Sequence, residues 1–155
     1  MNVAMIGPST IILLLLAAHG PRIQVKIPNT RFKELERISA EVDNRGETPI
    51  TFCVEYGQTS PTQDESQMES TPSPFNVQAN SSGKWNTLLI GPDVGSFRAP
   101  IVLEGNKSNE FPFRLRTKGK MRLVLWYWDK AMPDLYCKHP PKGEKRLESL
   151  PFLVE

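Results

Sequence analysis

The sequence predicts an all-β fold, an antiparallel sandwich or barrel, and three observations carry that prediction. Apolar and polar residues alternate along Ile38-Ser39-Ala40-Glu41-Val42-Asp43 and again along Ile50-Thr51-Phe52-Cys53-Val54-Glu55-Tyr56. Period-two alternation buries one side of an extended segment and exposes the other. The chain of 155 residues holds 14 prolines, well above the ordinary share of about 5%, and proline is hostile to helix interiors. About eight short segments of this kind are punctuated by Gly, Asn, Pro and Ser at spacings of about 8–12 residues, as in all-β folds.

The length suits one domain with a real core. Nineteen Lys and Arg against 17 Asp and Glu give a net charge of +2, which offers no electrostatic footprint for nucleic acid. Met1 to Gly20 contains no Asp, Glu, Lys or Arg, and Ile11 to Ala18 is an unbroken apolar run. That run is shorter than the ~20 residues a bilayer span needs. It suits the hydrophobic region of a secretory signal peptide, with Ala17, Ala18 and Gly20 as small residues behind it. Residues 1–20 are therefore expected to be a signal peptide, cut after Ala18, and 21–155 the β-sandwich domain. The expected location is secreted or periplasmic, or cytoplasmic if the leader is not a signal, with no stable transmembrane span. Alternatives for the leader are a buried first strand or helix, or a misassigned start codon.

Along the chain, Ile23-Gln24-Val25-Lys26-Ile27 alternates and stops at Pro28-Asn29, a first strand. Arg31 to Arg37 reads either as one helical turn or as a lead-in. The two alternating segments 38–43 and 50–56 read as a β-hairpin, with Asn44, Gly46 and Pro49 supplying the turn chemistry. On the second arm Ile50, Phe52, Val54 and Tyr56 share the core face, so Thr51, Cys53 and Glu55 point away from it. Gln58 to Ser73 is polar, with three acids, no base and one large apolar residue, Met68. Such a stretch cannot bury enough surface to offset its ordering entropy, and 58–73 is expected to be a mobile loop. Short strands follow at 75–78, 85–90 and 98–104. Phe111, Phe113 and Leu115 alternate around Pro112, which marks an edge strand or a bulge. Lys118-Gly119-Lys120 reads as a turn. Met121 to Trp128 is apolar on both faces, as in a central strand or one covered on its outside. Ala131 to Arg146 reads as irregular, and Leu150 to Val154 as the last strand.

Three stretches resemble immunoglobulin-like sandwiches of bacterial exported and accessory proteins. Val42-Asp43-Asn44-Arg45-Gly46-Glu47-Thr48-Pro49-Ile50-Thr51-Phe52 is similar to their B–C hairpin. Leu103 to Phe113 is similar to a later hairpin of the same folds, and Gly119-Lys120-Met121-Arg122-Leu123 to the start of strand F. Fibronectin type III-like domains and the bacterial intracellular proteinase inhibitor family share this layout. The similarity spans about residues 36 to 128 and lacks the Cys–Trp–Cys core of antibody domains. It implies an immunoglobulin-like antiparallel β-sandwich of about 7–9 strands. It also implies that the strand 121–128 lies beside the one carrying Cys53, so that Cys137 can fold back to form a Cys53–Cys137 disulfide. Two cysteines form a bridge in an exported protein and remain free thiols in a cytosolic one.

Few residues carry chemistry. Cys137-Lys138-His139 with Cys53 would supply three zinc ligands, but structural zinc takes four, usually in paired clusters, and no second cluster exists. His139 beside Pro140 and Pro141 reads as an exposed turn rather than the base of a nucleophile pair. Asp93, Glu104, Asp129 and Asp134 form no spaced acid–base pair, and no catalytic or nucleotide-binding motif is present. Catalytic residues, metal and cofactor are each expected to be none. Trp126 and Trp128 project from the same strand face and, with Tyr136 or Trp85 near, form either a sugar-stacking platform or a satellite core under a crossing loop, the second being favoured. Lys138, Lys142, Lys145 and Arg146 make a basic stretch that meets the acidic residues Asp64, Glu65 and Glu69, meets an acidic partner, or is a solvated face, the last being the commoner case. The reading is a non-catalytic exported binding or accessory module for an unknown protein or glycan partner. The alternatives are a carbohydrate-binding module using Trp126 and Trp128, and a protease-inhibitor-like domain.

Overall fold

A computed structural model of the chain describes residues 22–56, 73–88 and 97–155. The leader 1–20 and the stretch 58–73, apart from Ser73, lie outside the described residues. Among the described residues there is no helix, and so none long and apolar enough to cross a membrane. The strands are β1 Ile23–Lys26, β2 Arg31–Phe32, β3 Ile38–Asn44, β4 Ile50–Tyr56, β5 Phe75–Ser81, β6 Lys84–Thr87, β7 Phe97–Leu103, β8 Lys107–Phe113, β9 Gly119–Trp128, β10 Lys145–Glu148 and β11 Phe152–Val154. Strand β2 escapes the alternation pattern because two residues show no period, and β10 because Leu147 is its one apolar residue. The residues expected to be irregular up to Arg146 thus end inside β10, and the expected turn at Lys118–Lys120 runs into β9 at Gly119, whose φ is +123°.

Two sheets face each other. One has the order β1-β3-β8. The other, of eight strands, is built around β9. Met121 pairs with both Ala79 and Phe152, Leu125 with both Phe75 and Leu147, and Tyr127 with both Phe52 and Lys145. A residue has one neighbour on each side, so β5 and β4 follow one another along one side of β9, and β11 and β10 along the other. β4 in turn pairs with β7, and β5 with β6. This is an immunoglobulin-like β-sandwich.

The core lies between the inner faces. Ile38, Ala40 and Val42 of β3 meet Ile50, Phe52 and Val54 of β4 and Met121, Leu123 and Leu125 of β9, all essentially without solvent contact. Phe111 of β8 stands edge-on to Phe52 and Phe75 of the opposite sheet, with centroids 5.8 and 5.9 Å apart. Edge-to-face pairs add about 0.5–1.5 kcal/mol beyond burial, which helps fix the spacing of the sheets.

The segment 38–56 is not a hairpin. β3 pairs with β1 and β8, and β4 with β7 and β9, so the two strands belong to opposite sheets and residues 45–49 cross between them. The second expected hairpin, 103–113, is likewise a crossing, at residues 104–106, from β7 to β8. Alternation reports which side of a strand is buried, and a hairpin arm and a sandwich corner bury the same side.

Asn44 locks the two crossings together. Its side chain is 1% exposed. Nδ2 donates to the carbonyls of Thr48 at 2.9 Å, Glu104 at 3.2 Å and Leu103 at 3.3 Å, and Oδ1 accepts from the Gly46 N–H at 3.1 Å. The Asn106 N–H donates to the Gly46 carbonyl at 3.0 Å, completing the contact between the crossings. Gly105 permits it: a Cβ there would sit 2.3 Å from the Glu47 carbonyl oxygen. On the solvent side of β3, Lys26 and Arg45 both bond Asp43 Oδ2, at 2.5 and 2.9 Å. The Lys26 bond, aided by Arg45, holds the Asp43 carboxyl below its ordinary value against a smaller opposing effect of burial.

Asn44→Ala is expected to lower the unfolding free energy by about 3 kcal/mol in urea titration, because several buried carbonyls and an N–H lose their partner. Asn44→Asp should cost at least as much, since a carboxylate cannot donate to the three carbonyls. An unfolding midpoint unchanged in both variants would show that the crossings are held by packing alone.

Candidate functional site

Paired residues of antiparallel strands project to the same face. The outer face of the large sheet therefore carries Trp126 and Trp128 of β9, Thr51, Cys53 and Glu55 of β4, Arg98 and Pro100 of β7, Asn76 of β5 and Arg146 of β10. The segment 129–144 is fastened over part of this face. Thr51 Oγ1 donates to the Lys130 carbonyl at 2.7 Å and accepts from the Met132 N–H at 2.8 Å. Trp128 Nε1 donates to the Pro141 carbonyl at 3.3 Å. Cys53 and Cys137 are joined as a disulfide, with Cα atoms 5.9 Å apart. Beneath the segment, Trp128, Leu135 and Cys137 form a second small core, against which Cys53 and Met132 pack.

Beside this staple the face opens into a cleft of about 260 Å³. It is lined by the Cys53–Cys137 bridge together with Trp126, Glu55, Arg98, Asn76 and Glu144. Glu55 and Arg98 are a cross-strand pair, with Arg98 Nη2 and Nε donating to Glu55 Oε2 at 3.1 and 3.3 Å. Trp126 is 38% exposed, and the Arg146 guanidinium lies 5.9 Å from its ring centroid. Arg146 is itself paired with Glu148, and Lys145 with Asp129, whose carboxylate raises the Lys145 pKa.

The aromatic residues singled out in the sequence separate into different settings. Trp128 is 4% exposed and its indole N–H is bonded, so it belongs to the satellite core while one edge lines the cleft. Trp126 lies open in the cleft. Tyr136 is exposed, beside His139, and is not part of the cleft wall. Trp85 of β6 is covered by the Arg122 guanidinium at 4.3 Å. Both cysteine sulfurs are committed to the bridge, and no group of three or more His, Cys, Asp or Glu able to hold a metal ion occurs among the described residues. Asp64, Glu65, Glu69 and Asp93 lie outside the described residues.

Pattern reading missed Thr51, Glu55, Asn76 and Arg98. Thr51 points away from the main core, as the alternation predicts, yet it is completely buried. The signal was available: a bridge at Cys53 brings a covering segment over its same-face neighbour two residues away.

No protein-family model and no curated protein matches the sequence. Among solved structures, the chain is similar to WR4, a C. elegans MSP family member, at 6% identity and a TM-score of 0.38, over 85% of this chain and 98% of that one. It is also similar to PapD-like domain 7 (an ASH domain) of human CEP192, at 15% identity and a TM-score of 0.31, over 100% of this chain and 96% of that one. Both are immunoglobulin-like β-sandwiches, and the similarity extends no further than the fold.

The staple closes a loop with a sequence separation of 84 residues. In the chain-entropy treatment such a loop contributes up to about 4 kcal/mol. Reduction, or Cys53→Ala with Cys137→Ala, should lower the urea midpoint accordingly. Limited proteolysis should then cut within 129–144 before any strand of the core. Equal protease resistance with and without the bridge would show that Thr51 and Leu135 hold the segment alone.

Proposed function

We propose that this chain is an exported, non-catalytic binding module that meets its partner on the outer face of the large sheet, in the cleft beside the disulfide. The observation that carries the reading is Trp126, a large aromatic side chain left open among strand-borne polar groups beside the stapled part of the face. Side chains mounted on strands are held more firmly than those on loops, which suits recognition. The carboxylate of Glu55, which lines the cleft with Trp126, is engaged by Arg98, an arrangement suited to hydrogen bonding with a ligand rather than to proton transfer.

Export is supported by two independent features. Disulfides persist in oxidising compartments, and the apolar run Ile11–Ala18 fits a signal peptide. The protease-inhibitor-like reading rests on fold resemblance only, and the cleft gives it no support.

Sequencing of the protein recovered from its native host should start after Ala18, and an intact Met1 would overturn export. Immobilised protein with its bridge intact should retain a component of the host's extracellular material. Trp126→Ala should reduce that retention about tenfold or more, while the protein still unfolds in a single cooperative transition. Retention unchanged by Trp126→Ala would move the binding surface elsewhere.

A further inference from the structure

The ligand class can be read from the chemistry of the cleft wall, on the premise that this cleft is the binding surface. We propose that it takes one pyranose ring of an uncharged glycan, stacked on Trp126 and held by Glu55, Arg98 and Asn76.

Size sets the first limit. A cleft of about 260 Å³ falls just under the range of about 300–1,000 Å³ typical of sites for drug-sized ligands. It suits a single ring with its neighbours projecting into solvent. Surface chemistry sets the second. A pyranose presents a patch of C–H groups on one face and hydroxyls around its edge. The indole of Trp126 offers an apolar face with no need to donate a hydrogen bond across it. Around it stand groups that match hydroxyls in both senses: a carboxylate accepts, a guanidinium donates, and an amide does both. The Glu55–Arg98 pair is arranged for this use. Both Arg98 bonds enter Glu55 Oε2, and among the described residues none reaches Oε1. Oε1 and the remaining guanidinium N–H groups can therefore take two adjacent hydroxyls, one as donor and one as acceptor. Asn76 is exposed on β5, opposite Val124 in the register.

Charge sets the third limit and makes the proposal selective. Two carboxylates, Glu55 and Glu144, line the cleft against one guanidinium, that of Arg98. Arg146 approaches the Trp126 ring but is neutralised by Glu148. A uronate or sulfated sugar would bring a third negative charge among these groups, and like-charge juxtaposition is an effective rejecting element.

Titration calorimetry of the full chain with its bridge intact tests this. The probes are hexasaccharides of β-1,4-linked glucose, mannose, N-acetylglucosamine and xylose, with α-1,4-linked galacturonate as the acidic counterpart. At least one neutral probe should bind, and the galacturonate about tenfold or more weakly. Trp126→Ala should weaken the neutral probe about tenfold or more, with Trp126→Phe recovering much of the loss. Glu55→Gln should narrow the difference between neutral and acidic probes. Galacturonate binding as well as the neutral probes, neutral binding indifferent to Trp126→Ala, or no neutral binding at millimolar concentration would each overturn the proposal. In the last case, retention of host material that still depends on Trp126 would leave the binding-module reading standing without its glycan. Loss of that dependence as well would remove both.

Discussion

The structure depends on one buried amide. Asn44 sits at the end of β3, where four partners converge on its side chain. Each partner belongs to a backbone that is leaving one sheet for the other. A sandwich must solve this problem at every corner: a crossing strand end carries carbonyls and N–H groups that no sheet ladder can satisfy, and leaving them unpaired in the interior is costly. Here one side chain serves both corners. The neighbouring Gly105 lets the second corner approach within a distance that any Cβ would forbid.

That constraint reaches the candidate site through register. With the crossings fixed, β3 and β8 pair from Asn44–Lys107 to Ile38–Phe113, and β4 and β7 from Ile50–Leu103 to Tyr56–Phe97. The far end of the β4–β7 ladder is where Glu55 meets Arg98. A slip of one residue would turn one of them to the core face. The outer column of β4 then carries three different interactions in order: Thr51 hydrogen-bonds the covering segment, Cys53 is bonded to it covalently, and Glu55 stands beyond its edge. The column thus passes from sealed to open within a few residues, and the cleft lies at the boundary.

The sequence was informative about faces and silent about partners. Ile38-Ala40-Val42 and Ile50-Phe52-Val54 are buried where alternation puts them, because a period-two pattern is a local property of one strand. Sheet membership is not local, and the corner at 45–49 read as a hairpin turn for that reason. The same limit hid most of the site. Glu55 and Arg98 are 43 residues apart and Arg122 and Gln78 are 44 apart; no spacing rule joins them until the ladders are known. Lys145-Arg146-Leu147-Glu148 has a single apolar residue and reads as solvated, yet β9 recruits it through backbone pairing, which needs no side-chain pattern. Trp126 and Trp128 were legible as a pair on one face, but their different exposure is decided by where residues 129–144 cross.

The position of Trp126 follows from how the sheet divides. Along one side of β9, β5 pairs with Met121 to Leu125 and β4 with Tyr127 and Trp128. Trp126 falls in the gap between the two strands, and its register partner is Arg146 on the other side. The gap is bounded by a bridge between Glu55 and Ser73, whose N–H and carbonyl groups exchange hydrogen bonds of 3.1 Å. A continuous ladder would carry side chains of an adjacent strand directly beside the indole. At the fork, Glu55 from β4 and Asn76 from β5 line the cleft together with Trp126. The same fork lets two strands contribute to one cleft. The long central strand therefore serves both sides of the sheet: its inner residues close the core, and Trp126, at the fork, is left 38% exposed on the outer face.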